Sequence, residues 1–217
     1  MGPAGSSVNG DYLAAVAGAP QPDALRVWNV DTGRSVVTLT GLFKDWGFAV
    51  GGRVLVVLVI VSHRDHEIRF YDLNHPDQAP RRIPGKHGPV GLAVSLDGRL
   101  VAATTQGGPV RLCDAVTGEL IEDLHGHLNS SDGVAFSNDG HRLISAAGGL
   151  EAVKLWDVGT RQELLNLSGT GSTLDRAMWS LDGDTILAGA PWQAWHAPSW
   201  EEIAAAEAKE KSEAQRP

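Results

Sequence analysis

Eight histidines and an excess of carboxylates invite a search for metal or acid–base chemistry. The densest group is His63, Asp65, His66 and Glu67, where two imidazoles and two carboxylates share one short run. Zinc takes three or four converging ligands, and this run joins two strand-like stretches, so a solvated polar loop accounts for it better than a metal site. His125 and His127 lie two apart, on one face of any strand, and no His-Glu-x-x-His motif occurs. No Gly-x-Ser-x-Gly elbow presents a nucleophile. Gly169-Thr170-Gly171-Ser172 lacks the lysine that a phosphate loop needs. Asp97, Asp139 and Asp182 each precede a glycine, which marks them as turn residues rather than catalytic acids. Cys113 is the one cysteine and reads as a buried, inert thiol. The expectation is a chain with no catalytic residue, no metal and no cofactor.

The residues left over suit recognition. Arg81 and Arg82, with Lys86 and His87 nearby, make a weak basic cluster diluted by Asp72 and Asp77. Trp46, Trp192 and Trp200 fall outside the repeated pattern described below, and exposed tryptophan favours protein contact. Trp46, Arg81, Arg82 and Trp192 are therefore candidates for partner binding. For Trp192, packing against the end of the chain is the competing role.

The elements that would hold these residues are bounded by composition. The chain has 217 residues, 18 Lys plus Arg against 26 Asp plus Glu, and a formal net charge of -8. That balance argues against a nucleic-acid surface. One cysteine excludes an intrachain disulfide framework. The most apolar run, Val54 to Val61, is far shorter than the ~20 residues of a membrane helix. No basic stretch followed by an apolar core opens the chain, so no signal peptide is expected, and a cytoplasmic location is.

A repeat organises the rest. Val27-Trp28-Asn29, Phe70-Tyr71-Asp72, Leu112-Cys113-Asp114, Leu155-Trp156-Asp157 and Ala194-Trp195-His196 recur at spacings of 43, 42, 43 and 39 residues. A second mark runs Asn9-Gly10, Gly51-Gly52, Asp97-Gly98, Asp139-Gly140 and Asp182-Gly183. Alternating stretches such as Ile68/Phe70, Val110/Leu112 and Val153/Leu155 read as strands, and the Asp-Gly pairs as hairpin turns. No helical stripe appears before residue 200. The pattern predicts an all-β chain of about five repeated antiparallel sheets, packed radially as propeller blades.

These units resemble WD repeats. The best match is the fourth, with Gly126-His127, Gly133 to Gly140, Leu143 to Ala146 and Val153-Lys154-Leu155-Trp156-Asp157. The resemblance implies blade anchors at Trp28, Tyr71, Cys113, Trp156 and Trp195. It also implies a buried network of His127, Ser145 and Trp156, with Glu151 standing near the place of the family's loop aspartate. The units fall at about 1–40, 41–84, 85–125, 126–168 and 169–200, with a charged, helix-prone tail over 201–217. Met1 to Ser7 is too rich in Gly, Ala, Pro and Ser to look like a good innermost strand. WD propellers usually close with about seven blades, so five units resemble the C-terminal segment of a longer ring. A closed five-blade ring, or one completed by a second copy, is the alternative. The final segment is similar to the ends of propellers in large bacterial, planctomycete-like signalling proteins. The implied function is non-catalytic protein binding through rim loops and the central opening, within a larger multidomain protein. The rivals are an accessory domain of a signalling enzyme such as a protein kinase, or a hydrolytic or metal-binding propeller. Protein partners are expected, with self-association if the ring is incomplete; nucleic acid and membrane are not.

Overall fold

Short apolar–polar alternations closed by glycine turns give strands of three to eight residues. The structure, a computed structural model, describes residues 4–17, 24–86, 88–106, 109–127, 131–148, 153–169, 176–189 and 192–197. The first sheet holds β1 (Ala4–Ser6), β2 (Tyr12–Ala17), β3 (Ala24–Asn29) and β4 (Ser35–Thr40). The second holds β5 (Phe43–Ala49), β6 (Val54–Ile60), β7 (Asp65–Asp72) and β8 (Arg81–Lys86). The third holds β9 (Pro89–Val94), β10 (Leu100–Thr105), β11 (Val110–Asp114) and β12 (Glu119–Leu124). The fourth holds β13 (Ser131–Phe136), β14 (Arg142–Ala147), β15 (Val153–Asp157) and β16 (Glu163–Leu167). The fifth has three strands, β17 (Ala177–Trp179), β18 (Thr185–Ala188) and β19 (Gln193–His196). Every sheet is an antiparallel meander in chain order.

Neighbouring sheets touch through their first strands, β5 with β9, β9 with β13 and β13 with β17, so these line the common axis. Four buried clusters lie between successive sheets. Tyr12, Leu25 and Val27 meet Leu55 and Val57; Val56, Leu58 and Phe70 meet Val101 and Cys113; Leu112 and Leu124 meet Leu143 and Trp156; Ile144 and Val153 meet Ile186 and Ala188. Among the described residues no such cluster joins the fifth sheet to the first, and the arrangement is a partial propeller. β6 shows why a strand can be apolar throughout. Leu55 and Val57 face the first sheet while Val54, Val56 and Leu58 face the third, so neither side of it meets water.

The first strand departs from expectation. Ala4–Ser6 pairs with β2, Ala4 opposite Ala15 and Ser6 opposite Leu13. Ladder bonds need no side chain, and small residues suit the crowded axis: a Cβ on Gly5 would lie 3.0 Å from the ring of Trp46. Residues 201–217, with their expected helix, lie outside the described residues, as do His87, Glu151, Thr170 to Ser172 and Trp200.

One turn recurs at the first hairpin of three sheets. In the third, the Ser95 hydroxyl donates to Asp97 Oδ1 at 2.6 Å and accepts the Leu100 amide at 2.9 Å, while Asp97 accepts the Arg99 amide. Ser137/Asp139 and Ser180/Asp182 repeat the arrangement. The hydroxyl and the amide hold all three carboxyls below the usual carboxylate range. Their folded pKa lies under the unfolded one, so their contribution is complete at neutral pH. It fades as pH falls below about 4 toward the folded values. The thermal midpoint should therefore drop on acidification through that window. Replacing Asp97, Asp139 and Asp182 with Asn should flatten the drop in a thermal melt series; an unchanged slope would show that these carboxylates do not carry it.

Candidate functional site

The fourth unit assembles the best-defined polar group. Trp156 on β15 is buried, and its Nε1–H donates to Ser145 Oγ on β14 at 2.8 Å. His127 Nε2 lies 2.6 Å from the same hydroxyl, with its ring edge-on to the indole at 6.3 Å between centroids. Gly126 makes room, since a Cβ there would stand 2.9 Å from the Trp156 ring and from Glu163 Oε2. Beside it the buried Lys154 reaches Glu163 at 2.9 Å. The Ser145 hydroxyl is thus buried in the sheet interface and shared between an indole and an imidazole.

The five anchor positions divide by their surroundings. Tyr71 packs toward the first sheet, Cys113 toward the second, Trp156 toward the third and Trp195 toward the fourth. Each of these four faces the sheet that precedes it, while Trp28, in the first sheet, belongs to none of the inter-sheet clusters. Burial pushes the Cys113 thiol up to about 12, so it stays protonated. The residue after each of the first four anchors closes the third hairpin. Asp114 accepts the amides of Val116 and Thr117, Asp157 that of Thr160, Asn29 that of Thr32 and Asp72 that of Asn74.

The expected contact residues are scattered rather than gathered. Trp46 is half-buried between the first two sheets, edge-on to Phe48 at 5.9 Å, and serves packing. Arg81 bridges sheets by donating to the Val116 carbonyl and lies over Gly118. Arg82 is exposed, 3.9 Å from Glu67. Trp192 is exposed on the loop before β19. His63 is exposed, but His66 is not the loop residue it resembles: it sits in β7 and is buried. Gly85 opposite it allows this, because a Cβ there would fall 2.1 Å from the imidazole. Among the described residues no three His, Cys, Asp or Glu come together as a metal site would require.

Two clefts open along the edge that carries the middle hairpins and the inter-sheet links. One, of about 570 Å³, lies between the second and third sheets, over Asp65, His66, Lys86, Arg111, Asp123 and His125. Its charges are already matched, Lys86 with Asp65 at 2.7 Å and Arg111 with Asp123 at 3.1 Å. The other, of about 640 Å³, lies on the axis among the first strands of four sheets, lined by Lys44, Asp45, Gln106, Arg176 and Met178 with Leu92. There Asp45 accepts the amides of Trp46 at 2.9 Å and of Leu92, on the neighbouring sheet, at 3.1 Å. Burial raises its pKa against the pull of those amides. No ion pair engages Lys44 or Arg176 among the described residues. The central opening was expected as a binding place, but the residues that line it were not, because positions from 44 to 178 meet there only through the radial packing.

No family model matches the chain. It is 28% identical over 180 residues to autophagy-related protein 16 of Arabidopsis thaliana, covering 81% of this chain and 35% of that protein. An uncharacterized WD repeat-containing protein of Synechocystis is 23% identical over 184 residues, covering 83% of this chain and 51% of that protein. WD repeat-containing protein ATCSA-1 of Arabidopsis thaliana is 27% identical over 103 residues, covering 46% and 23%. The chain thus spans about half or less of the length of these relatives. A chain from a crystal structure of a mitotic checkpoint complex superposes with a TM-score of 0.64 at 18% identity, over 85% of this chain and 55% of that one. That likeness speaks for the fold alone.

Proposed function

Because the chain is a WD-repeat β-propeller, we propose that it is a non-catalytic protein-interaction module whose axial cleft receives a segment of a partner protein. The observation that carries this reading is the placement of two cations, Lys44 and Arg176, in a cleft bounded by the first strands, with Asp45 as the carboxylate beside Lys44. Asp45 is occupied by two amides and offers little to an incoming cation. In a chain of net charge -8, such a pocket favours a segment bearing carboxylates. Loops and clefts on an interlocked scaffold suit this role, since their residues can change without disturbing the buried clusters. The relatives' greater length is consistent with service as an accessory part of a larger protein.

The test is selection from a random peptide library on the 217-residue chain. Asp- and Glu-rich sequences should be enriched. Lys44→Glu combined with Arg176→Glu should weaken their binding by about tenfold or more. Enriched peptides that are neutral or basic, or that bind the double variant equally well, would remove the axial cleft from consideration.

A further inference from the structure

One position in the recurring turn differs in its chemistry. Where the third, fourth and fifth sheets carry Asp97, Asp139 and Asp182, the first carries Asn9, between the buried Ser7 and Gly10. Much of the turn is the same. The Ser7 hydroxyl accepts the Tyr12 amide at 2.9 Å, five residues on, and Asn9 Oδ1 accepts the Asp11 amide at 3.3 Å, two residues on. Each of the three aspartates also accepts a bond from its serine. Among the described residues Asn9 receives none from Ser7, and its Nδ2 donates instead to Asp11 Oδ2 at 2.6 Å.

An asparagine followed by glycine holds an electrophile and a nucleophile side by side. A bond from the Gly10 backbone nitrogen to Asn9 Cγ closes a five-membered ring within one chain, which spares the cost of bringing two reactants together. Glycine leaves that nitrogen unshielded by a side chain, and a Cβ on Gly10 would have nothing within 4 Å. The two bonds to Asp11 fold the Asn9 side chain back over the Gly10 peptide. Asn29, Asn74, Asn129, Asn138 and Asn166 all precede bulkier residues. Asn9 is exposed, and so are Asp97 and Asp139, each of which has a sheet on either side. Neighbouring sheets therefore leave this place open to water.

We propose that Asn9 is a modification site, at which the folded chain converts asparagine to aspartate or isoaspartate without an enzyme. The Gly10 nitrogen attacks Asn9 Cγ, the Cγ–Nδ2 bond breaks, and the Gly10 proton ends on the departing ammonia. Water, the only co-reactant, then opens the succinimide. Opening at Cγ leaves aspartate; opening at the backbone carbonyl leaves isoaspartate, whose main chain runs through Cβ and Cγ and is one carbon longer. The Gly10 N–H donates to the Ser7 carbonyl at 3.0 Å, and that bond must open before the ring closes. Folding thus slows the step without abolishing it. The two products meet different fates. Aspartate takes the place that Asp97, Asp139 and Asp182 hold, with Ser7 as its donor, and Asp184 shows that a second aspartate two residues on is compatible with this turn. Isoaspartate displaces the turn from the second sheet, where a Cβ on Gly52 would fall 2.4 Å from Asn9 Oδ1.

The test holds the folded chain for weeks in heavy-oxygen water at physiological temperature and mildly alkaline pH, then reads a digest by mass spectrometry. The peptide with Asn9 should gain the mass of a carboxyl over an amide and one heavy oxygen, while those with Asn29, Asn74 and Asn138 stay unchanged. In denatured chains, Gly10→Ala should slow the conversion by about tenfold or more. Asn9→Asp should keep the thermal midpoint of the unmodified chain. An aged sample rich in isoaspartate, told from aspartate by peptide elution, should melt lower. An Asn9 still amidated in the folded chain after the denatured chain has fully converted overturns the proposal. So does conversion of the other asparagines at the same rate. An isoaspartate-rich sample that melts with Asn9→Asp overturns the separate fates of the two products.

Discussion

Trp156→Ala should lower the unfolding free energy by about 3–5 kcal/mol, as removal of a fully buried aromatic does. The total for a domain of this kind is of order 5–15 kcal/mol, so the variant should lie near the edge of folding at ambient temperature. Two effects combine. The indole fills the space between the third and fourth sheets, against Leu112, Leu124 and Leu143. It also supplies the N–H that engages Ser145, whose buried hydroxyl would be left with His127 alone. Trp28→Ala, at the equivalent position of the first sheet, should cost far less, because no preceding sheet packs on it among the described residues. Chemical denaturation of the two variants side by side measures the contrast. Equal losses would show that the anchor's cost is set within its own sheet rather than by its neighbour.

The second large effect is expected at Gly98. Its φ of +71° is a left-handed conformation, and a Cβ there would fall 2.7 Å from the backbone nitrogen of Val50 on the adjacent sheet. That nitrogen donates to the Gly98 carbonyl at 2.8 Å, so the two hairpins are held together at the point of collision. Gly140 has a nearly identical φ of +73° with nothing within 4 Å. Gly140→Ala should therefore show the conformational cost alone, about 1–2 kcal/mol. Gly98→Ala should add about 1–3 kcal/mol for displaced backbone. The two denaturation midpoints should be well separated; coincident midpoints would mean that the second sheet gives way without penalty.

The anchors and their period were legible because each unit repeats the same local demands. An aromatic residue or thiol on the third strand is followed, in four of the five, by a residue that closes a hairpin. The direction in which an anchor points was not legible. Period-two alternation separates two faces of a strand but does not say which neighbouring sheet each will meet. Ser95, Ser137 and Ser180 stood two residues before each Asp-Gly pair, yet only the glycine turn drew attention. The serine's role depends on an amide five residues onward, which appears once the hairpin is built. His66 shows the converse. Among charged neighbours it looks solvated, and it is buried because a glycine nineteen residues later leaves room for its ring. Trp46 looked like a contact residue for want of a place in the repeat, and it fills the seam beside Gly5. Lys44, Gln106 and Arg176 come together through radial geometry alone, for which no short motif exists.

That anchors face backward has a bearing on synthesis. As the chain leaves the ribosome, the second, third, fourth and fifth anchors each emerge when the surface that will shelter them has already been made. Tyr71, Cys113, Trp156 and Trp195 never wait for later residues to cover them. The growing end instead offers one apolar wall to the next sheet, a geometry that permits folding sheet by sheet from the N-terminal side.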